Sequence, residues 1–155
     1  MRYLKLYEEL DYLPKKIYYT KDEGDSLVVY TFDFGDYTYL CEFSKIEDNM
    51  WKRDFHTMEE GFNTLNVGGK NAIDTFSYIT QITEDFLNEY NPDLIIMLHT
   101  SKSRFNVNWK FIQNIKIHDY KIIPINLFND IKTIIVKKNL EDLVDSDIIK
   151  KLKIK

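Results

Sequence analysis

Residues 90–105 read YNPDLIIMLHTSKSRF, and the fold turns on how this stretch is read. Five apolar residues in a row, Leu94 to Leu98, leave no polar face. A strand with one wet face alternates, whereas a strand covered on both faces is apolar throughout. Pro92 stops the preceding helix, because the residue before a proline is driven out of the helical region. Beyond the run, residues 101–115 return to helical spacing, with Phe105, Trp109 and Ile112 on one side. The stretch therefore reads as helix, buried strand, helix, and it places residues 94–98 in the interior of a sheet.

Upstream, Ala72, Ile73, Phe76, Ile79, Ile82, Phe86, Leu87 and Tyr90 recur at the spacing of one helix face. Before that helix, Val28, Tyr30, Phe32 and Phe34 alternate with Val29, Thr31 and Asp33, and Tyr37, Tyr39, Cys41 and Phe43 continue the rhythm. Gly35-Asp36 between the two runs is a two-residue hairpin signal. A third strand is expected in "MWKRDFHT", with Trp51, Arg53, Phe55 and Thr57 on one face and Asp54 and His56 on the other. Tyr3, Leu6, Tyr7 and Leu10 predict a short amphipathic helix ending before Pro14, and residues 15–26 read as a polar stretch with a turn at "KDEGDS". Downstream, "YKIIPINLF" and "KTIIVKK" predict two strands, and Pro124 points to a bulge or a sheet edge in the first. Residues 139–155 predict a final helix opening at Asn139, with Leu140, Leu143, Val144, Ile148 and Leu152 as its apolar face and a basic tail. The order is that of an α+β domain with one central sheet, spanning residues 1–155.

A chain of 155 residues suits one core. Formal net charge is −4, from 21 basic and 25 acidic residues. That balance argues against nucleic acid as a partner. Cys41 is the only cysteine, so no intrachain disulfide forms and a reducing compartment fits. No apolar run approaches the roughly 20 residues of a membrane span. A soluble, intracellular protein is expected.

Two of the five glycines, Gly68 and Gly69, stand side by side just before the long helix, in NTLNVGGKNAIDTF (63–76). Bare amides at a helix start attract anions, and Lys70 adds a charge within reach. The plainer reading is a sharp turn from strand to helix. The loop is neither a P-loop nor a dinucleotide-binding fingerprint.

The element order, with a glycine loop between the last meander strand and the main helix, resembles the GNAT acetyltransferases. That resemblance implies a single mixed sheet with an antiparallel meander, a buried central strand and flanking helices. In that superfamily a loop of pattern Arg/Gln-x-x-Gly-x-Gly/Ala takes the pyrophosphate of acetyl-CoA. The matching residues here are Asn66-Val67-Gly68-Gly69-Lys70-Asn71, followed by Ala72. Gly69 keeps the pattern, while Asn66 and Asn71 depart from it. The resemblance thus implies a cofactor site at Gly68, Gly69, Lys70, Asn71 and Ala72, and acetyl-CoA as the cofactor.

The chain also resembles a family of small tailed-bacteriophage proteins, through Gly69-Lys70-Asn71-Ala72, Pro92-Asp93-Leu94-Ile95 and Ser103-Arg104. That likeness implies a host or phage protein as partner, and residence in the cytoplasm of the infected cell or in the virion. In both groups the helix after the buried strand carries a Tyr, the general acid for the departing thiolate in the enzymes. Asn108 takes that place here, and an amide cannot donate a proton in that way. Two functions of different class follow. One is a catalytically degenerate scaffold that binds a host or virion protein. The other is an acetyl-CoA-dependent N-acetyltransferase working by direct amine attack.

Asp54 and His56 share a strand face and either relay a proton or simply face solvent. His99-Thr100-Ser101 closes the buried strand, where clefts open, but no second His-x-Ser exists for a two-histidine phosphoesterase. His56, His99 and His118 match no metal-ligand spacing. Arg104 opens a helix, where a cation is poorly placed, and so points to a specific partner, either a structural ion pair or a ligand.

Overall fold

A computed structural model describes residues 18–58, 70–115 and 117–153. The helix expected between residues 3 and 10, and the glycines Gly68 and Gly69, lie outside the described residues. The strands are β1 (Thr20–Glu23), β2 (Leu27–Phe34), β3 (Tyr37–Glu47), β4 (Met50–Thr57), β5 (Leu94–Leu98), β6 (Tyr120–Leu127) and β7 (Asp130–Lys137). The helices are α1 (Lys70–Tyr90) between β4 and β5, α2 (Lys102–Ile112) between β5 and β6, and α3 (Asp147–Lys151) after β7. The strands form one mixed seven-stranded sheet in the order β1-β2-β3-β4-β5-β7-β6. Neighbours pair antiparallel except β4 and β5, which run parallel. The architecture is α+β with flanking helices.

Alternation along each strand divides the core in two. On one face Val28, Tyr30, Phe32, Tyr39, Cys41, Phe43, Trp51, Ile95 and Met97 meet Ile79, Ile82, Phe86 and Leu87 of α1. Aromatic rings fill much of this layer: Phe43 stacks on Phe86 with centroids 3.9 Å apart, and Trp51 meets Phe86 edge-on at 5.2 Å. On the other face Met50, Leu94, Ile96, Ile134 and Val136 are covered by Ile149 and the segment leading to it. β5 is wet on neither face, with Leu94, Ile95 and Ile96 fully buried, and its neighbour β7 is likewise buried from Lys132 to Val136.

Local signals set the corners. Gly35 takes φ +62 in the β2–β3 turn, a left-handed conformation that costs glycine nothing. α1 ends where Asn91 turns left-handed at φ 47 and returns its N–H to the Leu87 carbonyl at 3.1 Å. Pro124 sits in β6, at the edge of the sheet, where a missing donor is tolerated.

Two expectations need correction. The polar stretch before residue 27 contains a strand, β1, which pairs with β2 from Thr20↔Thr31 to Glu23↔Val28. Its charged side chains suit a sheet edge rather than a loop. The final segment is not one helix from Asn139. Residues Lys138–Asp145 form 3₁₀ turns broken at Leu140 (φ −120), and α3 starts afresh after Ser146, which is extended (φ −66, ψ 151). The apolar residues explain this: Leu140, Leu143, Ile149 and Leu152, which all pack on the second core, are spaced in multiples of three. Three residues per turn is the 3₁₀ period, not the α period. Ile149, not Ile148, is the residue fully buried there.

Candidate ligand cleft

The parallel pair at the centre of the sheet is short. β4 and β5 pair from Met50↔Leu94 to Arg53↔Met97. Past Arg53, β4 stays with β3 as far as Tyr39↔Thr57, while β5 stays with β7 to its last residue, Leu98↔Lys132. Each strand follows its antiparallel neighbour, and a cavity of about 290 Å³ opens between them. Its walls include consecutive residues of both strands, Lys52 to Phe55 and Met97 to His99. Consecutive strand residues point to opposite faces, so the cavity lies between the parting strands and not on one side of the sheet. Phe76 and Ile79 of α1, Arg104 and Asn108 of α2, Thr100 and Lys153 complete the lining.

Arg53 lies at the point of parting. The alternation that buries Trp51 also turns Arg53 toward the helices, where it is 7% exposed. Its guanidinium donates to Thr83 Oγ1 at 3.0 Å and to Asn108 Oδ1 at 2.7 Å. Nε is buried with no hydrogen-bond partner. Among the described residues no carboxylate lies within ion-pair distance of it. Its sequence neighbour Asp54 pairs instead with Lys52 at 3.4 Å. Burial lowers the Arg53 pKa from its ordinary value, yet a guanidinium keeps its proton inside a protein. The result is a buried cation held by neutral oxygens alone.

Those oxygens are themselves fixed. Thr83 Oγ1 donates to the Ile79 carbonyl at 2.7 Å, and Asn108 Nδ2 reaches Met97 Sδ at 3.7 Å. Asn108 is 3% exposed and spans from Arg53 to the floor of β5. α2 is started by Ser101, whose Oγ accepts from the Arg104 N–H at 3.2 Å.

His99 forms another part of the wall. Its Nε2 lies 2.9 Å from Thr133 Oγ1, and its ring meets Phe105 edge-on. Burial first, then the charges of Arg53 and Arg104, pull its pKa from 6.5 to about 3. The imidazole is therefore neutral at neutral pH and a weak proton acceptor.

The candidates read from sequence fall into three groups. Asp54, His99 and Arg104 come together at the cleft. His56 does not line it and does not face solvent: it is buried, with Nε2 3.9 Å from Glu42 Oε1 of β3. Of the glycine-loop residues, Lys70, Asn71 and Ala72 form the first turn of α1, and Gly68 and Gly69 lie outside the described residues. Among the described residues no cluster of His, Cys, Asp and Glu could hold a metal ion, and no helix is long and apolar enough to cross a membrane. Sequence reading overlooked Arg53 as a functional group, although it had put this arginine on a face otherwise made of Trp51, Phe55 and Thr57. A cation on an apolar stripe was the available signal.

Compared with known protein families, curated proteins and solved structures, the chain matches none.

Proposed function

We propose that the chain is a GNAT-like binding protein without transferase chemistry, of the kind resembled among small tailed-phage proteins, with a host or virion protein as its partner. One observation carries this reading. Asn108, which stands where the acetyltransferases keep a proton-donating Tyr, is buried with its oxygen committed to Arg53 at 2.7 Å. It has no acidic proton to offer a departing thiolate. His99, nearby, stays neutral and bonded to Thr133. A protein partner has an anchor available: the β6–β7 hairpin tip carries Leu127 and Phe128, 64% and 91% exposed.

A second reading is supported by the strand order and by the parting of β4 from β5. In it the chain is an acetyl-CoA-dependent N-acetyltransferase. Gly68, Gly69, Lys70, Asn71 and Ala72 would hold the cofactor's phosphates. Acetyl-CoA would supply an activated acyl group for direct attack by an amine; as the carbon–sulfur bond broke, the amine would give a proton to water and the thiolate would take one from it.

Thermal unfolding with millimolar acetyl-CoA or CoA, followed by a thiol-release assay with a panel of amines, separates the two. The first reading predicts no thiol release above background, and a stoichiometric complex recovered from infected cells that Phe128→Ser weakens. Amine-dependent thiol release would replace it with the second.

A further inference from the structure

Among the described residues no carboxylate reaches ion-pair distance of the Arg53 guanidinium. Four cationic side chains, Lys52, Arg53, Arg104 and Lys153, line the cleft with one carboxylate, Asp54, in a chain whose net charge is −4. Beyond the Lys52–Asp54 pair the charged lining is cationic, and low-dielectric walls concentrate such a field on whatever enters. Taking a cation out of water costs several kcal/mol unless an opposite charge meets it. Here Thr83 and Asn108 use two of the five guanidinium N–H donors and bring no negative charge.

We propose that the cleft between β4 and β5 is a binding site for a small monocarboxylate, whose anionic end is drawn to Arg53 and whose apolar body rests on Phe55, Phe76 and Met97. A carboxylate suits this place better than a phosphate. Phe55, Phe76, Ile79, Met97 and Leu98 share the lining with the charged groups, and a carboxylate with an apolar body can cover them where a strongly hydrated dianion cannot. A volume of about 290 Å³ lies at the small end of ligand pockets, roughly 300–1,000 Å³. The site is independent of the functional reading above. It asks nothing of the glycine loop and holds whether or not CoA binds. The lowered basicity of His99 agrees with it, since after burial the charges of Arg53 and Arg104 contribute to that shift.

The test uses the full chain with benzoate and hexanoate as probes, neutral benzamide and inorganic phosphate as controls, and ionic strength held constant. Benzoate and hexanoate are expected to raise Tm saturably and to move the His99 ring resonances with the same dissociation constant. Benzamide should do neither. Asn108→Asp keeps the side-chain shape but sets a carboxylate against Arg53, and should weaken benzoate at least tenfold. Equal effects from benzamide, a response to phosphate without one to benzoate, or no response from His99 would each overturn the site. If Asn108→Asp fails to fold, the comparison of benzoate with benzamide on the wild-type His99 resonances still decides.

Discussion

Replacing Arg53 by Met should leave stability within about 1 kcal/mol of wild type, or raise it, even though Arg53 is 7% exposed and makes two hydrogen bonds. The terms oppose one another. Two bonds from a charged donor are lost, each worth about 1.5–3 kcal/mol. Asn108 Oδ1 is left without a donor, which costs about 1–3 kcal/mol more. Thr83 loses less, because its hydroxyl still donates to the Ile79 carbonyl at 2.7 Å. Against this, the substitution removes a desolvated charge that no described carboxylate contacts, worth several kcal/mol, and adds the burial of an apolar side chain, about 1.5–3 kcal/mol. Asn108→Leu is the opposite case. It keeps the charge and removes its shortest contact, so stability should fall by about 3–5 kcal/mol. The double variant should recover most of that loss, giving a coupling energy above about 2 kcal/mol. Urea denaturation read by far-UV circular dichroism provides the numbers, with the slope checked for constancy. A fall of more than 3 kcal/mol for Arg53→Met alone would refute the reasoning. It would make Arg53 a structural centrepiece and not a charge held in reserve for a ligand.

Three further predictions concern other parts of the molecule. Because His99 is held at about 3 when folded and has its ordinary 6.5 when unfolded, its contribution is complete above pH 6.5 and is lost as pH falls toward 3. The unfolded chain binds the extra proton in that window, so wild type should lose about 1.4 kcal/mol per pH unit more than His99→Gln; parallel losses in the two proteins would contradict this. Gly35→Ala should cost about 1–2 kcal/mol from backbone strain alone, since φ is +62 and nothing lies within 4 Å of the added methyl; an unchanged Tm would show that the turn has another conformation. Cys41 is fully buried and its thiol is pushed up to about 12 by that burial, so Ellman's reagent at pH 8 should find no thiol in the native protein and one after unfolding in urea. Rapid labelling of the native protein would place Cys41 at the surface.

Much of the fold was legible because burial writes itself into residue order. Leu94 to Leu98 are apolar without interruption because both faces of β5 are covered, and the hairpin alternates because one face of β2 and β3 is wet. Gly35-Asp36 and Asn91-Pro92 mark corners through backbone geometry, which is local. β1 was not legible, since a charged edge strand has the composition of a loop and gains its structure from pairing with β2. The 3₁₀ turns were not legible because Leu140, Leu143, Val144, Ile148 and Leu152 fit the α period, whereas Leu140, Leu143, Ile149 and Leu152 pack on the core at multiples of three. The cleft itself could not be read off the chain. It arises where the β4–β5 register stops at Arg53↔Met97, a pairing between residues far apart in sequence. His99 and Arg104 were noticed for their positions, yet nothing local joined them to Arg53 or revealed that Asn108 would hold it.

The claim on which the rest depends is that the gap between β4 and β5 is a ligand site organised by Arg53. Anomalous diffraction from crystals soaked in 4-bromobenzoate tests it most directly. The account predicts one dominant bromine peak inside the gap, near Phe55, Phe76 and Met97, with the carboxylate density facing the Arg53 guanidinium. Bromine bound elsewhere on the molecule, or an empty gap at saturating probe, would contradict it.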